Sequence, residues 1–167
     1  MQLGQTQDKL KAMGVETVAV VNTLLERARL YFKYRPARMV LAADPEAAPH
    51  RAFGVPAGVI VEDESAASWP QSATMGQLLA VGINPTGELP APQDPFAANE
   101  TLNKKDAFEL TETDREIAAT HGTQLVGHFL IDREGIIRWR HIEAGERIGD
   151  LAKLPSGEEI LRAAGSL

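Results

Sequence analysis

Apolar and polar positions change period several times along the chain, and each change predicts an element. In residues 1–13, Leu3, Leu10 and Met13 share one helical face, Gln5, Asp8, Lys9 and Lys11 lie elsewhere, and Gly14 supplies a C-terminal stop. Val15-Glu16-Thr17-Val18-Ala19-Val20-Val21 is a nearly continuous, β-branched run that fits a buried parallel strand. Thr23 and Glu26 have capping-box spacing, and the helix they open runs to about Tyr34, because Pro36 cannot continue it. Residues 39–42 read as a second short strand. Asp44-Pro45 then places an N-cap acceptor before a proline at the first helical position, predicting a helix that ends by Gly54 with Pro49 inside it. Residues 15–42 are therefore expected to form a strand–helix–strand unit with a right-handed crossover.

The pattern changes from Pro56 to Thr123. Six of the ten prolines lie between Pro56 and Pro95, and Pro85-Thr86-Gly87 and Pro90-Ala91-Pro92 are turn and extended signals. Short helices are expected around residues 71–80, 99–105 and 113–120. With few large apolar residues, residues 56–124 read as a long insertion packed on one domain, with a disordered linker as the competing reading. Periodicity returns at residues 126–131 and 136–141, two apolar strands around Asp132-Arg133-Glu134-Gly135, the signature of a hairpin. A four-residue loop puts His128 opposite Trp139 and His141 diagonal to it on the same face. Ser156 and Glu159 have a second capping-box spacing and open a final helix to about Ala164.

Composition narrows the function classes. A chain of 167 residues fits one domain. With 17 Lys+Arg against 23 Asp+Glu, its net charge of −6 argues against bulk attraction to nucleic acid or anionic membrane. No apolar run is long enough to span a bilayer, and Met1-Gln2-Leu3-Gly4-Gln5 is not the start of a signal peptide, so a cytoplasmic location is expected. There are no cysteines, which removes disulfides, iron–sulfur ligation, thiolate zinc sites and a cysteine nucleophile.

The element order and particular residues resemble the redoxins. The stretch Gly127-His128-Phe129-Leu130-Ile131-Asp132-Arg133-Glu134-Gly135-Ile136-Ile137-Arg138-Trp139 is similar to the C-terminal hairpin of peroxiredoxins. Residues 13–21 resemble the strand after their active-site helix, and Leu41-Ala42-Ala43-Asp44-Pro45 resembles their next strand and its exit. The resemblance is to a peroxiredoxin-like branch of the alkyl hydroperoxide reductase/thiol-specific antioxidant group, and it covers residues 1–54 and 125–167. It implies an α/β, thioredoxin-like fold, a mixed sheet with flanking helices, and a long insertion before the hairpin. The implied family activity is thiol-dependent reduction of peroxides or disulfides.

Two departures bear on that activity. Family members carry the peroxidatic cysteine at a strand–helix junction just upstream of the segment resembling residues 1–13, so the first, central strand of the sheet is expected to be missing. Relatives also often carry a cis-proline or an arginine three residues before the hairpin phenylalanine, where this chain has Val126. Residues Val126, Gly127 and His128 would then line a pocket beside the missing active site, with no catalytic, cofactor-binding or metal-binding residue. A mis-called start, or a selenocysteine codon read as stop, would place Met1 where the resemblance begins. A thiol reductant is implied only if an upstream cysteine or selenocysteine exists. Exposed sheet edges favour a homodimer. The alternative is a cysteine-free binding or scaffold module of the same fold.

Other constellations are read as structural. His50, His121, His128 and His141 show no metal-ligand spacing and are expected to be packed or at the surface. Asp132 and Glu134 serve the turn, and Glu62-Asp63-Glu64 lacks the spacing of a calcium loop. The basic stretch Arg27, Arg29, Lys33, Arg35 and Arg38 is a solvated helix face, with Tyr31 and Phe32 interleaved. Trp69 and Trp139 are core anchors. No Gly-rich phosphate loop or nucleophile elbow is present.

Overall fold

The fold is that of a computed structural model, which describes residues 2–34, 36, 39–121 and 123–167. Met1, Arg35 and Arg38 of the readings above lie outside the described residues. In chain order the elements are α1 (Gln2–Ala12), β1 (Val18–Val21), α2 (Leu25–Tyr34), β2 (Val40–Ala43), α3 (Ala48–Ala52), β3 (Ala57–Val61), β4 (Ser72–Thr74) and α4 (Met75–Leu79). There follow α5 (Pro95–Lys105), α6 (Glu112–His121), β5 (Thr123–Gln124), β6 (Gly127–Ile131), β7 (Ile137–Ile142) and α7 (Gly157–Ala164). The α/β class expected from the sequence is therefore observed. The chain divides into two compact units. One holds residues 1–49, 127–142 and 154–167, and the other holds 50–126 and 143–153.

In the first unit, α1 ends as its sequence predicts. Gly14 adopts φ +81°, and the Val15 N–H reaches back to the Leu10 carbonyl at 2.9 Å, which satisfies a helix-end acceptor. The next strand is shorter than expected: β1 starts at Val18, not Val15. It pairs in parallel with β2, from Val18 opposite Val40 to Val21 opposite Ala43, with α2 between them. The first helical bond of α2 runs from the Ala28 N–H to the Leu24 carbonyl, so Thr23 sits one residue before the capping position assigned to it. The helix expected after Asp44-Pro45 is cut to α3. Asp44 accepts from the Glu46 and Ala48 N–H groups at 3.0 and 2.8 Å, and Ala47 at φ 52° turns the chain before the helix begins. That tight turn consumes the residues a longer helix would need.

The core of this unit is small. Leu10 of α1, Leu130 of β6, and Ile160 and Ala164 of α7 form its buried cluster, with Val15, Trp139, Leu161 and Ala163 packed against it. α7 carries the predicted cap: the Ser156 hydroxyl accepts from the Glu159 N–H at 3.2 Å, and the Glu159 carboxylate accepts from the Ser156 N–H. The two strand pairs of the unit are separate sheets. Among the described residues β1 pairs only with β2, and β6 only with β7.

The second unit is more structured than a proline-rich insertion suggests. β3 pairs in parallel with β4 and antiparallel with β5. The sequence reading has no strand here, although Val59-Ile60-Val61 is an apolar run of strand length. The helix expected over 71–80 divides into β4 and α4, because Thr74 and Gln77 form a capping box that starts the helix at Met75. Asp94 accepts from the Phe96 and Ala97 N–H groups, both at 3.1 Å, so α5 begins at Pro95, four residues earlier than expected. Between α4 and α5, Asn84 clamps the loop through both hydrogen bonds to the Leu89 backbone. The buried hydrophobic residues described in this unit are all aliphatic: Val55, Ala73, Val81, Leu89, Ala98, Leu125 and Ala144.

Candidate functional site

The chemistry-bearing residues of the first unit gather on the β6–β7 hairpin. Its loop is built on Asp132. The Gly135 N–H closes a turn on the Asp132 carbonyl at 3.1 Å, and Gly135 takes φ +82°. The Asp132 carboxylate accepts from the Glu134 and Ile136 N–H groups at 3.0 and 2.8 Å and from Arg138 Nε at 2.6 Å. The Ile136 N–H, with the Arg138 guanidinium beside it, holds this carboxyl below the usual carboxylate range. Asp132 thus serves turn geometry, as its sequence position implies.

The left-handed Gly135 and an irregularity beside Leu130 and Ile131 change the register. Ile131 pairs with Ile137, and from there Leu130 lies opposite Trp139 and Phe129 opposite Arg140. His128 lies opposite His141, not opposite Trp139. The expected register is therefore corrected by two residues, because the loop and the bulge each add one residue that the four-residue loop does not count. The shift preserves parity, so His128, Leu130, Trp139 and His141 share one strand face. The His128 and His141 rings are 6.1 Å apart between centres and inclined at 66°. Trp139 stacks on His141 at 6.5 Å, with 18° between planes.

His128 is half-buried, and its Nδ1 is shielded from solvent with no hydrogen-bond partner. Burial pushes its basicity down, and the neighbouring His141 adds to that effect. The remaining expected pocket residues divide. Gly127 begins β6 opposite Ile142. Val126 belongs to the second unit, where its N–H donates to Glu143 Oε2 at 3.0 Å and its carbonyl accepts from the Glu143 N–H at 2.8 Å. Glu143 also accepts from the Ala152 N–H. A carboxylate therefore holds the backbone at Val126.

The other sequence candidates are dispersed. Asp63 caps a short turn by accepting from the Ser65 N–H at 2.8 Å. Tyr31 and Phe32 meet edge to face at 5.3 Å. The Trp69 indole N–H donates to the Ala144 carbonyl, and the residue is half-buried, less enclosed than the core anchor expected of it. The His121 side chain lies outside the described residues. One feature escaped the sequence reading: an open groove of about 460 Å³ in the second unit, lined by Phe96, Asn103, Lys104, Phe108, Leu110 and Arg115. Its aromatic residues carry no periodic signal, because they belong to a helix start and the loop after it. Among the described residues, no three His, Asp or Glu side chains converge as metal ligands, and no helix is long and apolar enough to cross a membrane.

The chain has no thiol. Its four chemistry-bearing hairpin residues offer two imidazoles, an indole and a turn carboxylate, but no nucleophile paired with a base. No family model matches the chain, and no curated protein and no solved structure matches it.

Proposed function

We propose that the chain is a redoxin-like protein of the peroxiredoxin type whose residues 1–167 carry the scaffold of a thiol-dependent peroxide or disulfide reductase without its nucleophile. The observation that carries this reading is the arrangement of the first unit. A parallel β1–α2–β2 unit, an antiparallel β6–β7 hairpin and a closing helix α7 follow in the redoxin order, yet β1 and β6 are not paired with one another. A central strand ending in a cysteine or selenocysteine, lying between β1 and β6, would complete both ladders and place a nucleophile near Gly127 and His128. Among the described residues β1 pairs only with β2 and β6 only with β7, which supports the reading, since backbone donors and acceptors next to a core need partners. A cytoplasmic location belongs to the same reading, and a thiol reductant is needed only if an upstream cysteine or selenocysteine exists.

The test has two arms. Residues 1–167 are assayed for hydrogen peroxide consumption and for insulin disulfide reduction with dithiothreitol as electron donor, and no turnover above buffer is expected. The same chain is then extended by the coding sequence immediately upstream, read through any in-frame UGA. Turnover by the extended chain, with slowed amide exchange in β1 and β6, is expected. An extended chain that neither turns over nor protects those amides overturns the reading. The alternative, a cysteine-free binding module, is favoured by the exposed valines Val18 and Val40, which are 59% and 62% accessible at the start of an apolar strand pair.

A further inference from the structure

We propose that His128 and His141 form a two-imidazole site for a borderline divalent transition cation, with Cu2+ its tightest occupant. The inference rests on the hairpin alone and is independent of the redoxin reading. The two residues are direct cross-strand partners, so the backbone ladder itself fixes their spacing. Two imidazoles on one ion, at metal–nitrogen distances of about 2.0–2.1 Å, hold their ring centres roughly 4.5 to 6 Å apart. The observed 6.1 Å lies just beyond that range, so the two rings need only a slight approach to share an ion.

The second observation is the orphaned Nδ1 of His128. A buried imidazole nitrogen without a partner is costly, and a bound cation supplies the partner that no protein group provides. The surroundings choose the class of ion. Leu130 and Trp139, which share the strand face, bring no carboxylate, so hard cations such as Mg2+ and Ca2+ find no oxygen ligands on this face. Imidazole nitrogens suit Cu2+, Ni2+ and Zn2+, and Cu2+ stands highest in the affinity order for such sites. Water completes the coordination, because both histidines are only partly buried. Trp139 stacks on His141 and so reports occupancy directly.

The experiment is a titration of the full chain with CuCl2 at neutral pH, read by tryptophan fluorescence and by calorimetry. Quenching that saturates at one equivalent is expected. His128→Asn and His141→Asn should each weaken the affinity by more than about tenfold, a loss that even outer partners of metal ligands can produce. His50→Asn should leave the affinity unchanged, and Trp139→Phe should keep the calorimetric binding while losing most of the quenching. Equal affinity in wild type and in both hairpin variants overturns the site. Should those variants fail to fold, substoichiometric NiCl2 is added to the wild-type chain and the histidine ring protons are followed by NMR. Broadening of His128 and His141 before His50 and His121 supports the site. Broadening of His50 or His121 first, or of none, overturns it.

Discussion

Asp132 shows how much one side chain does in this protein. Its carboxylate gathers two backbone N–H groups and a guanidinium at the turn on which the hairpin register depends. All three partners favour the ionised form, so Asp132 has a lower proton affinity folded than unfolded. The sign follows: its contribution is full above the unfolded pKa of about 3.9 and is lost as pH falls through the lower folded value. Thermal melts between pH 2 and pH 7 should show an acid limb that is shallower in Asp132→Asn, with the variant less stable than wild type at pH 7. Parallel acid limbs would leave Asp132 without this role. Alanines are informative at the same scale. Ala107 takes φ 52° after α5, and the Phe108 N–H bonds the Asn103 carbonyl at 2.9 Å, the arrangement that ends many helices on a glycine. The left-handed conformation costs an L-residue roughly 1–2 kcal/mol, and the extra chain entropy of glycine offsets part of that. Ala107→Gly should therefore stabilise the chain by about 0.5–1 kcal/mol in urea denaturation, and a loss of stability would contradict the assigned geometry.

Between elements, α1 and α7 pack closely at Gly157. Thr6 is buried, and a methyl group built on Gly157 would stand 2.5 Å from its Oγ1. Gly157 follows the Ser156 cap, so an alanine there suits the helix and fails only by collision. Gly157→Ala should cost about 1–3 kcal/mol, the usual range for overpacking. In Thr6→Ala the colliding oxygen is gone, so Gly157→Ala should cost much less in that background. A double-mutant cycle measures the coupling, and simple additivity would refute the contact. The Ser156 and Glu159 cap was legible in the sequence because capping is local chemistry, four residues long. The Thr23 and Glu26 pair had the same spacing and was displaced by one residue, because the Leu24 carbonyl, not Thr23, accepts the first bond of α2.

For the molecule as a whole, the notable property among the described residues is exposed apolar strand surface. β1 has no buried residue, and Val18 is 59% accessible. Exposed apolar strands with free edges invite pairing with a second copy, so a homodimer is the expected state. Sedimentation equilibrium should detect self-association that Val18→Lys reduces, since a charge on an edge strand opposes pairing. The substitution should leave the melting temperature of the monomer nearly unchanged, because surface changes at such exposure are small. A monomer at all concentrations would remove this expectation.

Local chemistry was written in the sequence. Gly14 as the stop of α1, the Ser156 cap and the Asp132 turn each depend on residues a few positions apart, and each is found in the structure. Absence of a thiol, and with it of thiolate chemistry, was equally fixed by composition. Pairing over distance was not. That β3 lies between β4 and β5, that β1 and β6 keep separate partners, and that His128 faces His141 are all decided by register and long-range hydrogen bonding. A single added residue in the loop and another at the bulge were enough to move the histidines from a diagonal to a direct pair. Periodicity assigns a side chain to a face, but only the closed ladder assigns it a neighbour.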